Sequence, residues 1–264
     1  MKILFFGDII GEPGRKAVKK ILPELKEKYS PDFIIANAEN LAHGAGITEK
    51  SVEEVLEAGV DFLTSGNHVF DKKMGLPLLD DKEIPLIRPA NWPPIPHGQG
   101  YKIIDVGIFR LAVINLNGRL FFRESLDCPF RKADEILEEL NEENLNAIIV
   151  DFHAEATSEK AAMGHYLDGR ASAVLGTHTH IPTADEKILP GGTAYISDIG
   201  MVGPKDSVIS FDKKEAIKGW LTQISAKVEF APGPIEVDAV LVEVDAQTKL
   251  AKNIKRIQKN IDID

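Results

Sequence analysis

The 264-residue chain holds a single cysteine, Cys128. An intrachain disulfide is therefore excluded, and an oxidising compartment is not required. Positive charge is the scarcer sign: 31 Lys and Arg face 41 Asp and Glu, a formal net charge of −10. Such a surface repels phosphate at long range, which argues against non-specific binding along nucleic acids. A small phosphate ester in a locally positive site stays open. Nowhere do about 18 apolar residues follow one another, so no membrane span is expected. The opening MKILFFGDIIG lacks a secretory apolar core, because Gly7 and Asp8 interrupt it. No repeat, low-complexity tract or composition break divides the chain. The expectation is one cytoplasmic domain over 1–264.

What is present is ordinary soluble-protein material, 44% hydrophobic and 27% charged, arranged as alternating strands and helices. KILFF (2–6), DFIIAN (32–37) and DFLTSGN (61–67) are short apolar runs of buried-strand type. Between them, Ala17, Val18, Ile21, Leu22 and Leu25 follow helical spacing, with Pro23 as an expected kink. A helix is expected at 49–58, capped by Thr48, and a short one at 69–80. YKIIDV and FRLAVINL read as a hairpin, after a proline-rich loop at 87–100. Helices are predicted near 131–143, 156–166 and 212–223. Further strands are predicted at 146–152, 171–176 and 193–198, in AKVEFA and EVDAVLVEVD, and near 250–257. The alternation predicts parallel strands with crossover helices, in two sheets with helices outside.

GTHTH (176–180) follows one of these runs directly. In extended backbone, residues i and i+2 point the same way, so His178 and His180 could reach one small volume. On this pair alone, metal ligands and ordinary loop histidines both remain open. Other strand ends carry related chemistry. The first ends in Asp8, the second in NAEN with Glu39 and Asn40, the third in GNH with Asn67 and His68, and the strand at 146–152 in DFH with His153. Asp8 alone could be a helix cap, and the asparagines alone turn residues. Their recurrence at equivalent ends is the point, because ligand sites of open α/β sheets lie outside the carboxyl ends of strands. Carboxylate, amide oxygen and imidazole suit Mn, Fe or Zn. Three histidines, two carboxylates and two amides exceed the needs of one ion, so a pair about 3.5–4 Å apart is expected.

The ordered series Gly7-Asp8, Glu39-Asn40, Gly66-Asn67-His68, His153 and GTHTH resembles the calcineurin-like metallophosphoesterases. GDIIGEPGR, NAENLAHGAGIT, DFHAEATSEK and GRASAVLGTHTH resemble its bacterial YmdB-like branch more closely, across essentially the whole chain. Two positions depart from the general superfamily: Asp8-Ile9-Ile10 lacks the usual histidine, and Glu39 stands where an aspartate is usual. The YmdB-like branch shares both. The resemblance implies an α/β fold, a four-layer α/β/β/α sandwich of two mixed sheets flanked by helices. It implies that Glu39 bridges two metals. One would also take Asp8, Asn40 and His180, the other Asn67, His153 and His178. His68 would stand outside them as general acid or transition-state stabiliser. Fe or Mn would be the ions.

The implied activity is phosphodiester hydrolysis on 2′,3′-cyclic and 3′,5′-cyclic nucleotides, by attack of a metal-bridging hydroxide. Two ions of about +4 together, less two carboxylates and a hydroxide, leave the site near +1 by formal count. Arg15 and Arg170 are weaker candidates for phosphate contacts. No independent purine-binding signature is present, though Tyr166, Trp92, Phe121 and Phe122 could stack a base. A phosphomonoesterase or nucleotidase on the same scaffold, and a non-enzymatic nucleotide-binding regulator, are the competing readings. An amidohydrolase generally places His-x-His after its first strand, not at 178–180. A homo-oligomer is left open.

Overall fold

In a computed structural model, which describes residues 1–94, 97–224 and 229–263, the alternating runs resolve into two six-stranded sheets. In the first, β1 (Lys2–Ile9) runs parallel to β2 (Phe33–Asn37), and β2 to β3 (Phe62–Thr64). Beyond β1 lie β10 (Met201–Pro204), parallel to it, then antiparallel β11 (Ile235–Val244) and β12 (Ala251–Ile261). The second sheet has the order β4 (Tyr101–Val106), β5 (Phe109–Asn117), β6 (Ala147–His153), β7 (Ala173–Thr177), β9 (Ala194–Ile196) and β8 (Lys187–Ile188). Its inner members β5, β6, β7 and β9 are parallel.

Strand alternation sorts the apolar residues into three cores. Ile3, Phe5, Ile35, Val113, Ile149 and Leu175 face the space between the sheets. The opposite faces, through Leu4, Phe6, Ile34 and Ala36, pack on α1 (Gly11–Tyr29) and α2 (Glu49–Glu57). On the second sheet, Ile114, Val150, Phe152 and Val174 pack with residues of α4 (Pro129–Glu139) and α5 (Thr157–Tyr166). The layers are thus helix, sheet, sheet, helix, as expected. The short α3 (Leu76–Asp80) and α6 (Lys213–Thr222) lie in connections, and α6 buries no residue.

Several details differ from the sequence expectation. α1 continues through Pro23 to Tyr29. Pro23 lies on its exposed face with Lys19, whose carbonyl loses its helical donor where water can replace it. The expected helix at 69–80 is broken into the 3₁₀ turns Asn67–Phe70 and Lys73–Gly75 and the five residues of α3. β8 and β10 carry too little apolar pattern to be foreseen. Of AKVEFA, 226–228 lie outside the described residues, and Phe230 forms a lone bridge to Phe211.

The inter-sheet face changes character toward the carboxyl ends of the strands. Ile35 is followed on that face by Asn37, Val113 by Asn115 and Asn117, Ile149 by Asp151 and His153, and Leu175 by Thr177. All of these polar side chains are fully buried. A polar floor therefore lies under one end of the sandwich.

Candidate metal centre

Asp8 reaches this floor through an irregularity in β1. Phe6 pairs with Ala36, but Asp8 pairs with Asn37, so Gly7 is an extra residue in the ladder. Simple alternation from Leu4 and Phe6 would send Asp8 toward the helices. The bulge re-aims it to the inter-sheet side.

Two groups of donors meet there. In the first, His153 Nε2 lies 3.1 Å from Glu39 Oε2, 3.2 Å from Asn67 Oδ1 and 3.0 Å from His178 Nδ1. In the second, the Asn40 amide lies 3.4 Å from Asp8 Oδ1, 3.1 Å from Glu39 Oε1 and 3.2 Å from His180 Nε2. Glu39 thus sends one oxygen into each group. Its Oε2 also accepts the backbone N–H of His68 at 3.1 Å. A Cβ on Gly66 would lie 2.2 Å from that oxygen and 2.3 Å from His153 Nε2, so only glycine permits the approach. Either group could hold a metal ion.

Buried acids and imidazoles this close together shift one another strongly. Burial pushes the Asp8 carboxyl well above its ordinary range, against the pull of His153. Burial acts the same way on Glu39, but His153, with His68 and His178, outweighs this and holds the carboxyl well below its usual range. Burial opposes charge on His153 too, yet Glu39, Asp8 and Asp151 raise it to about 9. Burial brings His178 down to about 3 and His180 to about 4, with His153 adding to the effect in both. Both are therefore neutral at pH 7, the form in which imidazole binds metals. His180 Nδ1 is buried with no hydrogen-bond partner among the described residues. The Asn40 amide presents Nδ2 to its neighbours, and turned over it would present Oδ1 in the same shape. Carboxylate, imidazole and amide oxygen together fit Mn, Fe or Zn.

GTHTH achieves its reach differently from the expected extended pair. β7 ends at Thr177, and His178 (φ 101°) and His180 (φ 64°) both take left-handed backbone. The two rings consequently enter different donor groups. The His178 N–H donates to Asp8 Oδ2 at 3.0 Å. Thr179 donates its N–H and hydroxyl to Asp198 Oδ2 at 3.0 and 2.8 Å. Asp198 in turn meets Lys160 Nζ at 2.6 Å, and Lys160 is only 1% exposed. Removing one partner of a buried pair typically costs about 3–5 kcal/mol. Lys160→Met is expected to lower unfolding stability by about that much in urea titrations. Adding Asp198→Asn should recover part of the loss, giving a non-additive cycle.

Sequence reasoning missed the layer beneath the two donor groups. Asp151 accepts from Thr64 Oγ1 at 2.5 Å, Thr177 Oγ1 at 2.7 Å and Asn37 Nδ2 at 3.0 Å. Thr177 Oγ1 lies 2.8 Å from His153 Nδ1, which leaves Nε2 for the donor group. Glu155 Oε2 lies 3.1 Å from His178 Nε2 and orients that ring. The available signal was an acidic residue inside a buried run, two positions before His153.

His68 stands beside the first group. Its Nδ1 lies 2.7 Å from Asp71 Oδ2, and it lines a cleft of about 420 Å³ with Asn67, Phe122 and His178. Arg15 and Arg170 have other partners. Arg15 bonds the Leu41 carbonyl and, at 2.6 Å, Glu54, fixing the loop that carries Glu39 and Asn40. Arg170 pairs with Asp134, which also accepts the Tyr166 hydroxyl. Trp92 packs edge-on against Phe70. Phe122 reaches the centre, 4.9 Å from the His178 ring.

Two mixed sheets between helices, with carboxylates and imidazoles gathered at their strand ends, are the architecture of the metallophosphoesterase class. Within that class the chain belongs to the YmdB-like family, whose model, the YmdB-like protein, matches residues 4–257. A Bacillus subtilis relative, a 2′,3′-cyclic-nucleotide 2′-phosphodiesterase, is 49% identical over 99% of this chain and 98% of its own. The crystal structure of a phosphatase from Mycoplasma pneumoniae superposes with a TM-score of 0.92 at 35% identity, covering 99% of this chain and 94% of that one. The NAD nucleotidase of Haemophilus influenzae shares the fold alone, with a TM-score of 0.61 at 14% identity, covering 99% of this chain and 56% of that one. Among the described residues, no helix is long and apolar enough to cross a membrane.

Proposed function

We propose that the protein is a dimetal phosphodiesterase that opens nucleoside 2′,3′-cyclic phosphates, with 3′,5′-cyclic nucleotides as a second substrate class. That it is a phosphoric diester hydrolase follows from its family and from the B. subtilis relative. The observation that supports two ions is the placing of one Glu39 oxygen in each donor group. Asp8, Glu39, Asn40 and His180 would hold one ion, and Glu39, Asn67, His153 and His178 the other, with Fe or Mn favoured. When bound, such a pair draws charge from phosphoryl oxygens and makes water more acidic.

The chain's own groups do the rest. Asp8 and Glu39 carry the charge that holds the cations, and neutral His178 and His180 offer lone pairs without adding repulsion. Hydrolysis forms a bond from water oxygen to phosphorus and breaks P–O2′, so O2′ must gain a proton. We assign that proton to His68 Nε2, a reading supported by the hydrogen bond that engages its Nδ1 with Asp71.

Elemental analysis and paired assays test this. Close to two ions per chain are expected under metal-replete conditions. Turnover of a nucleoside 2′,3′-cyclic phosphate should exceed that of the matching nucleoside monophosphate. One ion or fewer at saturation would overturn the dimetal proposal. Faster monoester cleavage would favour a nucleotidase, and metal binding without turnover of either a regulator.

A further inference from the structure

Between β5 and α4, the chain passes the metal centre as Asn117-Gly118-Arg119-Leu120-Phe121-Phe122-Arg123. This loop is tied to the strand and helix around the ligand His153. The Gly118 N–H donates to the His153 carbonyl at 2.9 Å. The buried Glu159 carboxylate of α5 accepts the N–H groups of Arg119 at 3.0 Å and Leu120 at 3.2 Å. A Cβ at Gly118 would lie 2.5 Å from Glu159 Oε2 and 2.6 Å from the Ala154 side chain, so this close docking needs glycine. The segment that follows is held in an unusual state. Phe121 takes φ 69°, uncommon for a bulky residue, and the residue is 83% exposed. A strained backbone presenting an aromatic ring to water needs a reason, and strain of this kind clusters at ligand clamps.

The ring's neighbourhood supplies the reason. Phe121, Phe122 and Arg123 line the cleft of about 420 Å³ that also holds Asn67, His68 and His178. That volume lies within the range of about 300–1,000 Å³ typical of small-ligand sites. Phe122 is packed against both His178 and His153, at 4.9 and 6.4 Å between ring centres, so it forms a fixed wall of the metal centre. Phe121, its chain neighbour, is exposed and makes no such ring contact among the described residues. Arg123 has no ion-pair partner among the described residues. A substrate with its phosphate at the metals would extend its other end along this wall. Aromatic faces hold bases by stacking, with little dependence on base identity.

We infer that Phe121 is the platform on which the substrate's base stacks, so that the cleft beside the metals recognises nucleosides rather than phosphodiesters in general. This rests on the proposed cyclic-nucleotide activity. The site accepts any base with a flat π-face and favours the larger purines.

The test compares wild type with Phe121→Ala and Phe121→Trp on three substrates: adenosine 2′,3′-cyclic phosphate, cytidine 2′,3′-cyclic phosphate and the base-free 1-O-methylribose 2,3-cyclic phosphate. Phe121→Ala should raise KM for the adenosine ester about tenfold, raise it less for cytidine, and leave kcat, metal content and the base-free ester unchanged. Phe121→Trp should restore the wild-type KM. An unchanged KM on the adenosine ester, or equal losses on all three, would overturn the platform while leaving the phosphodiesterase intact. Wild-type enzyme that cleaves none of the three would remove the proposed function and the platform with it.

Discussion

Glu39→Gln is expected to abolish stable metal binding, whereas Asn40→Ala weakens it only partly. Both Glu39 oxygens are committed, Oε2 beside His153 and His178, Oε1 beside Asn40, with Asp8 and His180 completing that group. The amide removes a full negative charge from a centre in which Asp8 is the other buried acid. It also turns an NH₂ toward one donor group whichever way it settles, so at least one site loses a ligand. Asn40, by contrast, would contribute one neutral oxygen to one group once its amide is turned over. Even outer partners of metal ligands are worth about 10–100-fold in affinity, so the loss at Glu39 should exceed about 100-fold. Dialysis against graded chelator, followed by elemental analysis, reads this directly. Thermal unfolding gives a second readout. Ligands that bind only the folded state stabilise it by mass action, so chelator should lower the wild-type Tm and leave that of Glu39→Gln unmoved. Equal metal retention by the two variants would sink the bridging role of Glu39.

The donor groups that could hold metal were legible because each strand end announces itself. An apolar run stops, and a carboxylate, amide or imidazole follows at once. Parallel topology does the remainder, carrying residues as distant as Asn40 and His180 to one edge of the sandwich. What stayed hidden depends on backbone detail that composition does not encode. GDII gives no sign that Gly7 is a bulge, yet without it Asp8 would face α1. GTHTH reads as an extended pair sharing one volume, but left-handed backbone at both histidines divides them between two groups. The clamp that holds that turn, Lys160 on Asp198, joins residues whose nearness no periodicity reveals. Asp151 was hidden for a different reason. A buried acid needs several donors at once, and Thr64, Thr177 and Asn37 come from three other strands. Arginine and aromatic candidates were poorly resolved by sequence because these side chains find partners readily. Arg170 meets Asp134 in a surface ion pair, and Trp92 packs on Phe70.

His68→Ala is expected to keep both ions and lose most turnover on substrates with poor leaving groups. Asn67 carries its side chain to His153 Nε2, while His68 turns its own to Asp71 at 2.7 Å. Adjacent residues thus serve different partners, and among the described residues the imidazole belongs to neither group that could hold a metal ion. Its backbone N–H, which donates to Glu39, survives the substitution. Protonation of a leaving alkoxide is worth about 10²–10⁴-fold. A ribose O2′ needs that proton, whereas nitrophenolate leaves readily without one. The deficit should therefore approach this range in kcat/KM for a nucleoside 2′,3′-cyclic phosphate and stay below about tenfold for bis(p-nitrophenyl) phosphate. Asp71→Asn, which keeps the hydrogen bond but not the charge, should fall between wild type and His68→Ala on the cyclic ester alone. If His68 were a ligand, the variant would lose metal. If it were a packing residue, both substrates would suffer alike. Metal content and the ratio of the two deficits decide among the three, and equal deficits with metals intact would take the proton-donor role away from His68.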